Sequence, residues 1–260
     1  MIRAVVFDVD GTLVQTERLK AQSYAIAVQR LLGQAGPDRR AVEVYRDIVG
    51  AARNVASRYI MERLGLQNRL RLLMAQYNVS TPEEVLTAMR LDIYLDMVVK
   101  PEVLRDNQWP YTVDLLRIAR EAACLTALAT MSKRDDTMHV IHSLDIGHWL
   151  DLVLTTEDVE HPKPDPEIYL LAAEKLGVSP AECLALEDSV NGVQAALAAG
   201  TNVVAIANPF TGIGLYRSGV VEDVWIVQKP EEVTEVVRRC IEEHNRTANP
   251  DRQPDEKGGA

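Results

Sequence analysis

Residues 183–206 read CLALEDSVNGVQAALAAGTNVVAI. Cys183-Leu184-Ala185-Leu186 is an apolar run of strand length that stops at the polar group Glu187-Asp188-Ser189. Residues 190–199 then carry a helical pattern ended by Gly200, and Asn202-Val203-Val204-Ala205-Ile206 is the next apolar strand. Alternating strand and helix implies a parallel sheet covered on both faces. Ligands of such sheets bind beyond the carboxyl ends of the strands, so the chemistry belongs just after each apolar run.

The alternation extends outward. Towards the N-terminus come a helix over 167–176 ended by Gly177, with the cap Ser179-Pro180-Ala181-Glu182 after it, a strand over 152–155 and a helix over 136–144. Before these lie a strand over 125–130 and a helix over 113–123. The first strand is Ala4-Val5-Val6-Phe7, which stops at Asp8 before Gly11, and Val224-Trp225-Ile226-Val227 is the last. Between about 16 and 98 the pattern is mainly helical, with no convincing strand candidate. Ala21, Tyr24, Ala25, Val28, Leu31 and Leu32 recur at helical spacing, 51–64 continues it, and Thr81-Pro82-Glu83-Glu84 is a capping box that opens a helix running through Met89. The expected architecture is a doubly wound parallel α/β core of Rossmann-like type with an inserted all-helical domain. Its core is 1–15 with 100–245, its insert 16–99, and 246–260, polar and rich in Pro and Gly, a flexible tail.

A chain of 260 residues holds one large domain, or a core with an insert. Its 47% apolar and 25% charged residues are the balance of a soluble protein with a sizeable core. The net charge of -10 argues against nucleic acid, but local cations still permit a small phosphorylated metabolite as partner. No apolar run is long enough to span a bilayer, and Ile2–Phe7 opens the chain without the order of a signal peptide. Cys124, Cys183 and Cys240 lack CxxC spacing and read as free thiols in a reducing cytosol. The expectation is a cytoplasmic monomer or homodimer without nucleic-acid or membrane partners.

The polar residues at the strand ends make a constellation. Asp8 and Asp10 follow the first strand, Thr130 and Ser132 the second, and Glu187-Asp188 the run ending at Leu186, while Lys163 lies in the loop after the 152–155 strand. Acids converging on one sheet edge repel one another and are costly to bury unpaired. A hard divalent cation resolves the conflict, and Mg²⁺, which prefers carboxylate and carbonyl oxygen, is the expected cofactor. Lys163 supplies the remaining positive charge. Carboxylates act as nucleophiles through acyl-phosphates, provided that metal and lysine offset the repulsion between two anions. Asp10, two residues beyond Asp8, is placed to protonate the leaving oxygen and then to deprotonate water.

At these residues the sequence resembles the haloacid dehalogenase superfamily. Asp8-Val9-Asp10-Gly11-Thr12 matches its first motif, Thr130 its second, Lys163-Pro164-Asp165-Pro166 its third and Glu187-Asp188-Ser189 with Gly192 its fourth. The helical insert resembles the α-helical cap of the β-phosphoglucomutase-like and phosphoglycolate-phosphatase-like branch. The resemblance implies that Asp8 is nucleophile and metal ligand, and that Asp10 is the acid/base whose backbone carbonyl also binds Mg²⁺. It implies that Thr130 and Lys163 hold the transferring phosphoryl group, that Asp188 is a metal ligand, and that Glu187 binds the metal or a water on it. Ser132 and Lys133 stand where β-phosphoglucomutases have a phosphate-contacting serine and lysine. Gly50-Ala51-Ala52-Arg53 resembles the cap segment with their substrate arginine, and Lys20 is a second candidate substrate contact. Asp10 sets aside dehalogenases and phosphonatases, which lack that aspartate. Gln15 stands where many relatives have aspartate, and Arg134 where mutases tend to have asparagine.

Plainer readings stand beside these. A DxDG after a strand is often only a turn, Asp188 or Ser189 also suits an N-cap, and Arg53 and Lys20 also suit solvated helix faces. His139 and His142 read as a surface pair, and Tyr169 and Trp149 as packing residues. The resulting expectation is a Mg²⁺-dependent phosphatase of small phosphate monoesters, of sugar phosphate or phosphoglycolate type. β-Phosphoglucomutase is the alternative, supported by Arg53 and Lys133 and not by Arg134. A non-catalytic regulator that binds a phosphorylated ligand is the third reading, and intact Asp8 and Asp10 speak against it.

Overall fold

The computed structural model describes residues 1–222 and 225–248. Six strands form one sheet: β1 (Ala4–Phe7), β2 (Leu125–Ala129), β3 (Leu152–Leu154), β4 (Cys183–Glu187), β5 (Asn202–Ile206) and β6 (Ile226–Val227). Their order is β3-β2-β1-β4-β5-β6, and every neighbouring pair is parallel. The central strands are buried on both faces, which is why they read as continuous apolar runs. The chain builds outward from β1 through β2 to β3, then returns to β4 on the other side of β1. That reversal opens a crevice at the carboxyl ends of β1 and β4. The register fixes what faces it. Phe7 lies level with Leu128 and with Leu186, so Asp8, Ala129 and Glu187 come next at one height.

Contacts divide the chain into two compact units, Met1–Leu13 with Trp109–Ala260, and Val14–Gln108. The second unit is helical among its described elements: α1 (Thr16–Leu32), α2 (Arg39–Arg46), α3 (Arg53–Leu64), α4 (Gln67–Arg71), α5 (Met74–Tyr77), α6 (Pro82–Val98) and α7 (Pro101–Asp106). At the start of α6 the Glu84 carboxylate accepts the Thr81 N–H at 2.9 Å, half of the capping box that the sequence spells. α6 runs nine residues past Met89 to Val98, and α7 packs on it with Leu104 buried, so the helical unit reaches beyond 99. The two ends of the unit lie side by side. Val14 and Gln108 form an antiparallel bridge, and the Gln15 N–H donates to the Asn107 carbonyl at 2.8 Å. In the sheet unit the Trp109 N–H donates to the Leu13 carbonyl at 2.8 Å.

The remaining helices belong to the sheet unit: α8 (Pro110–Glu121), α9 (Arg134–Leu144), α10 (Glu167–Leu176), α11 (Val190–Ala198), α12 (Gly212–Ser218) and α13 (Val233–Ala248). Alanines 172, 173, 195 and 196 on α10 and α11 let these helices close onto the strands, with Tyr169 and Val193 completing the buried cluster. The reading of 246–260 as tail places its start too early, because α13 includes Arg246. Val233, Val236, Val237 and Cys240 bury one stripe of that helix at i, i+3, i+4 and i+7. Residues 249–260 and Val224 lie outside the described residues. Among those described, no helix is long and apolar enough to cross a membrane, and Cys124, Cys183 and Cys240 are free thiols.

Candidate active site

Asp8 stands one residue past β1, where its N–H still pairs with the Leu186 carbonyl at 2.9 Å. Its buried carboxylate accepts from Lys163 Nζ at 2.9 Å through Oδ1. Lys163 spends its other protons on the Ala129 carbonyl at 2.8 Å and on Glu187 Oε1 at 2.5 Å, so all three ammonium donors are engaged. The loop that delivers it is braced. The Asp165 N–H donates to the Pro162 carbonyl, the Asp165 carboxylate accepts the Glu167 N–H at 3.0 Å, and Glu167 in turn holds the His161 backbone and ring.

Asp8, Glu187 and Asp188 are all buried, and each offers an oxygen within 4.8 Å of the others'. Glu187 Oε2 accepts from the Asp188 N–H at 3.2 Å and the Ser189 hydroxyl at 3.3 Å. Asp188 Oδ2 accepts from Asn208 Nδ2 at 2.7 Å and from the Thr211 hydroxyl at 3.3 Å. Two glycines make room for this packing. A Cβ on Gly11, whose φ is +88°, would lie 1.9 Å from Asp188 Oδ2, and one on Gly192 would lie 2.0 Å from the Glu187 carboxyl carbon. On the other side of Asp8, the Ser132 hydroxyl donates to the Asp10 carboxylate, and the Ser132 N–H donates to the buried Thr130 hydroxyl at 3.1 Å.

The electrostatics follow from burial. Loss of hydration pushes the Asp8 carboxyl up to about 8, against the pull of the Lys163 ammonium and with the push of Glu187 and Asp10. Burial also works against the charge on Lys163, but Asp8 and Glu187 more than offset it and hold the lysine well above its usual range. Three buried carboxylates thus face one buried ammonium. An all-oxygen donor set with excess negative charge fits a hard divalent cation. The second acid group, His161 with Asp165 and Glu167, is half open to solvent and is accounted for by the loop brace.

The sheet unit therefore brings together Asp8, Asp10, Thr130, Ser132, Lys163, Glu187 and Asp188. Lys133 is exposed next to Ser132 and lends its carbonyl to Thr137 at the start of α9. Arg53 and Lys20 belong to the helical unit. Arg53 is exposed at the start of α3, and Lys20 pairs with Glu17 at 2.6 Å, which also accepts from the Tyr45 hydroxyl. Arg134 forks onto Asp158 at 2.6 and 2.8 Å. Sequence reasoning missed Asn208 and Thr211, which face Asp188 from beyond β5, and it read Tyr169 as packing alone. The Tyr169 hydroxyl in fact donates to Glu187 Oε1 at 2.6 Å. The available signal was its position, six residues after Lys163 on the first turn of α10.

A family model described as haloacid dehalogenase-like hydrolase matches residues 2–200. The chain belongs to that family. It is an enzyme of phosphatase or phosphotransferase kind, and the hydrolase has relatives along most of its length. It is 28% identical to a phosphorylated carbohydrates phosphatase of Thermotoga maritima over 242 residues, which cover 92% of this chain and all of the relative. It is 30% identical to a phosphoglycolate phosphatase of Salmonella typhimurium over 211 residues, covering 79% of this chain and 81% of that one. Its fold is similar to that of a β-phosphoglucomutase from Clostridium difficile, with a TM-score of 0.62 at 21% identity, covering 94% of this chain and 99% of that one.

Proposed function

We propose that the hydrolase is a Mg²⁺-dependent phosphatase of small phosphate monoesters that works through an aspartyl-phosphate on Asp8. The observation that carries this reading is the buried meeting of Asp8 with Lys163, Glu187 and Asp188, with Asp10 held beside it by Ser132. Asp8, Asp188 and the Asp10 carbonyl would hold Mg²⁺, which supplies charge neutralisation between the acids and the phosphate dianion. Thr130 and Ser132 bind phosphoryl oxygens, Lys163 shares with the phosphoryl group the donor that it gives Asp8, and together they aim phosphorus at the Asp8 carboxylate. Asp8 attacks, the ester bond breaks, and Asp10 gives its proton to the departing alkoxide. Asp10 then takes a proton from the water that hydrolyses the acyl-phosphate. Glu187 holds Lys163 in place and has both oxygens engaged by the protein.

The relatives named for phosphorylated carbohydrates and for phosphoglycolate support a small phosphorylated metabolite as substrate. The sheet unit supplies only phosphate chemistry, so discrimination among leaving groups is the task of the helical unit, with Arg53 and Lys20 as its candidate contacts and Lys133 as a further phosphate contact. Phosphate release from a panel of sugar phosphates and phosphoglycolate tests the proposal, and no release from any ester in the presence of Mg²⁺ would refute it. Incubation with β-glucose 1-phosphate separates the mutase alternative: glucose 6-phosphate marks a mutase and free phosphate a phosphatase.

A further inference from the structure

Lys163 and Tyr169 reach Glu187 from one short segment. Lys163 sits in the braced loop, and Tyr169 on the first turn of α10, where its N–H bonds to the Pro166 carbonyl at 3.0 Å. Both donate to the same oxygen. Glu187 Oε1 accepts from Lys163 at 2.5 Å and from the Tyr169 hydroxyl at 2.6 Å. The tyrosine ring also lies under the ammonium, with Nζ 5.1 Å from its centroid, a cation–π distance. Tyr169 is 1% exposed. For filling the core a phenylalanine would serve as well, and burying a hydroxyl costs stability unless its hydrogen bond is used. The hydroxyl is used here on a carboxylate that is itself the anchor of Lys163.

We propose that Tyr169 is a positioning residue, which pins the Glu187 carboxylate so that Lys163 is held against Asp8 where the phosphoryl group transfers. Without the phenol, Glu187 Oε1 keeps Lys163 as its donor but loses its second anchor, while Oε2 keeps the Asp188 N–H and the Ser189 hydroxyl, so the end of the carboxylate that meets Lys163 is held less firmly. Lys163 then keeps its charge and its three partners but is held less firmly against Asp8, and catalysis is sensitive to small displacements. The proposal rests on the reading of Lys163 as the cation that holds the phosphoryl group.

The test is Tyr169→Phe in the full chain, which keeps the ring and its packing. Two measurements are made. One is the ¹H–¹⁵N signal of the Lys163 side-chain ammonium, assigned by its absence in Lys163→Met. The other is Mg²⁺-dependent hydrolysis of p-nitrophenyl phosphate. The ammonium signal should shift or broaden, and kcat should fall about tenfold, the scale of one lost hydrogen bond to a charged group, with KM nearly unchanged. Adding Tyr169→Phe to Glu187→Gln should cost little more kcat than Glu187→Gln alone, because the phenol acts through that carboxylate. A wild-type ammonium signal and kcat in Tyr169→Phe would overturn the proposal, as would a full further loss in the double variant or a lowered melting temperature as the sole effect. If the wild-type protein hydrolyses no ester, the proposed function falls, and the ammonium signal still decides whether Tyr169 positions Lys163.

Discussion

Asp8 is held by opposing forces, and their balance is measurable. Its folded-state pKa is raised from 3.8 to about 8, mainly by burial, so the folded protein binds this proton more tightly than the unfolded chain does. The resulting stabilisation is fully present below the unfolded value and is lost as pH rises through about 8. Asp8→Asn has nothing to titrate there. In chelator-treated protein, thermal melts at a series of pH values should show the variant gaining on wild type as pH climbs from about 4 to 8. A constant difference across that range would show that burial does not govern Asp8. The same variant should fold and yet release no phosphate, because an amide cannot form the acyl-phosphate. At this scale the placement of the candidate site was legible in the sequence: Asp8, Asp10, Glu187 and Asp188 stand where β1 and β4 stop, and Lys163 lies in the loop beyond β3. The roles of Gly192 and Tyr169 were not, since each depends on a Glu187 carboxylate that only the fold brings near.

α11 links an element's stability to the site. Ser189 precedes it in extended conformation and accepts the Gly192 N–H at 3.0 Å, so it caps the helix while its hydroxyl leans on Glu187. Ser189→Ala should cost about 1 kcal/mol in denaturant unfolding, and Ser189→Thr should restore most of it. An alanine variant as stable as wild type would show that the cap contributes nothing. Elements with a strong period and a clear stop were readable: β1, β4, β5 and α10 lie within a residue of the expected bounds. α13 carried a readable apolar stripe too, but its polar last turn shares its composition with the residues that follow, and composition obscured it. α4, α5 and α7 are of 4 to 6 residues, too short to show a helical period at all.

On the scale of the whole molecule, activity should depend on Mg²⁺, vanish on chelation and be inhibited by Ca²⁺. Mg²⁺ imposes near-octahedral geometry at short distance, whereas Ca²⁺ takes more ligands at longer range and can engage both oxygens of Asp8. Phosphate release titrated with each ion after chelation checks this, and full activity without any divalent ion would remove the metal from the mechanism. The helical unit should make its own contribution to kcat/KM. Arg53→Ala should lower kcat/KM on the best metabolite ester by tenfold or more, yet barely change p-nitrophenyl phosphate hydrolysis, because a generic ester offers little for a specificity residue to hold. Equal losses on both esters would assign Arg53 to the fold instead.

The side-by-side ends of the helical unit have a consequence for how such a protein diversifies. The chain departs after Leu13 and is back at Trp109 with those two residues hydrogen-bonded to each other, so the sheet receives its continuation at the same point whatever lies between. None of the six described strands lies within the 95 residues from Val14 to Gln108, whose one bridge joins its own two ends. Such an insert can therefore be exchanged without redrawing the sheet, so that the residues gathered at its strand ends stay together while the helical unit changes.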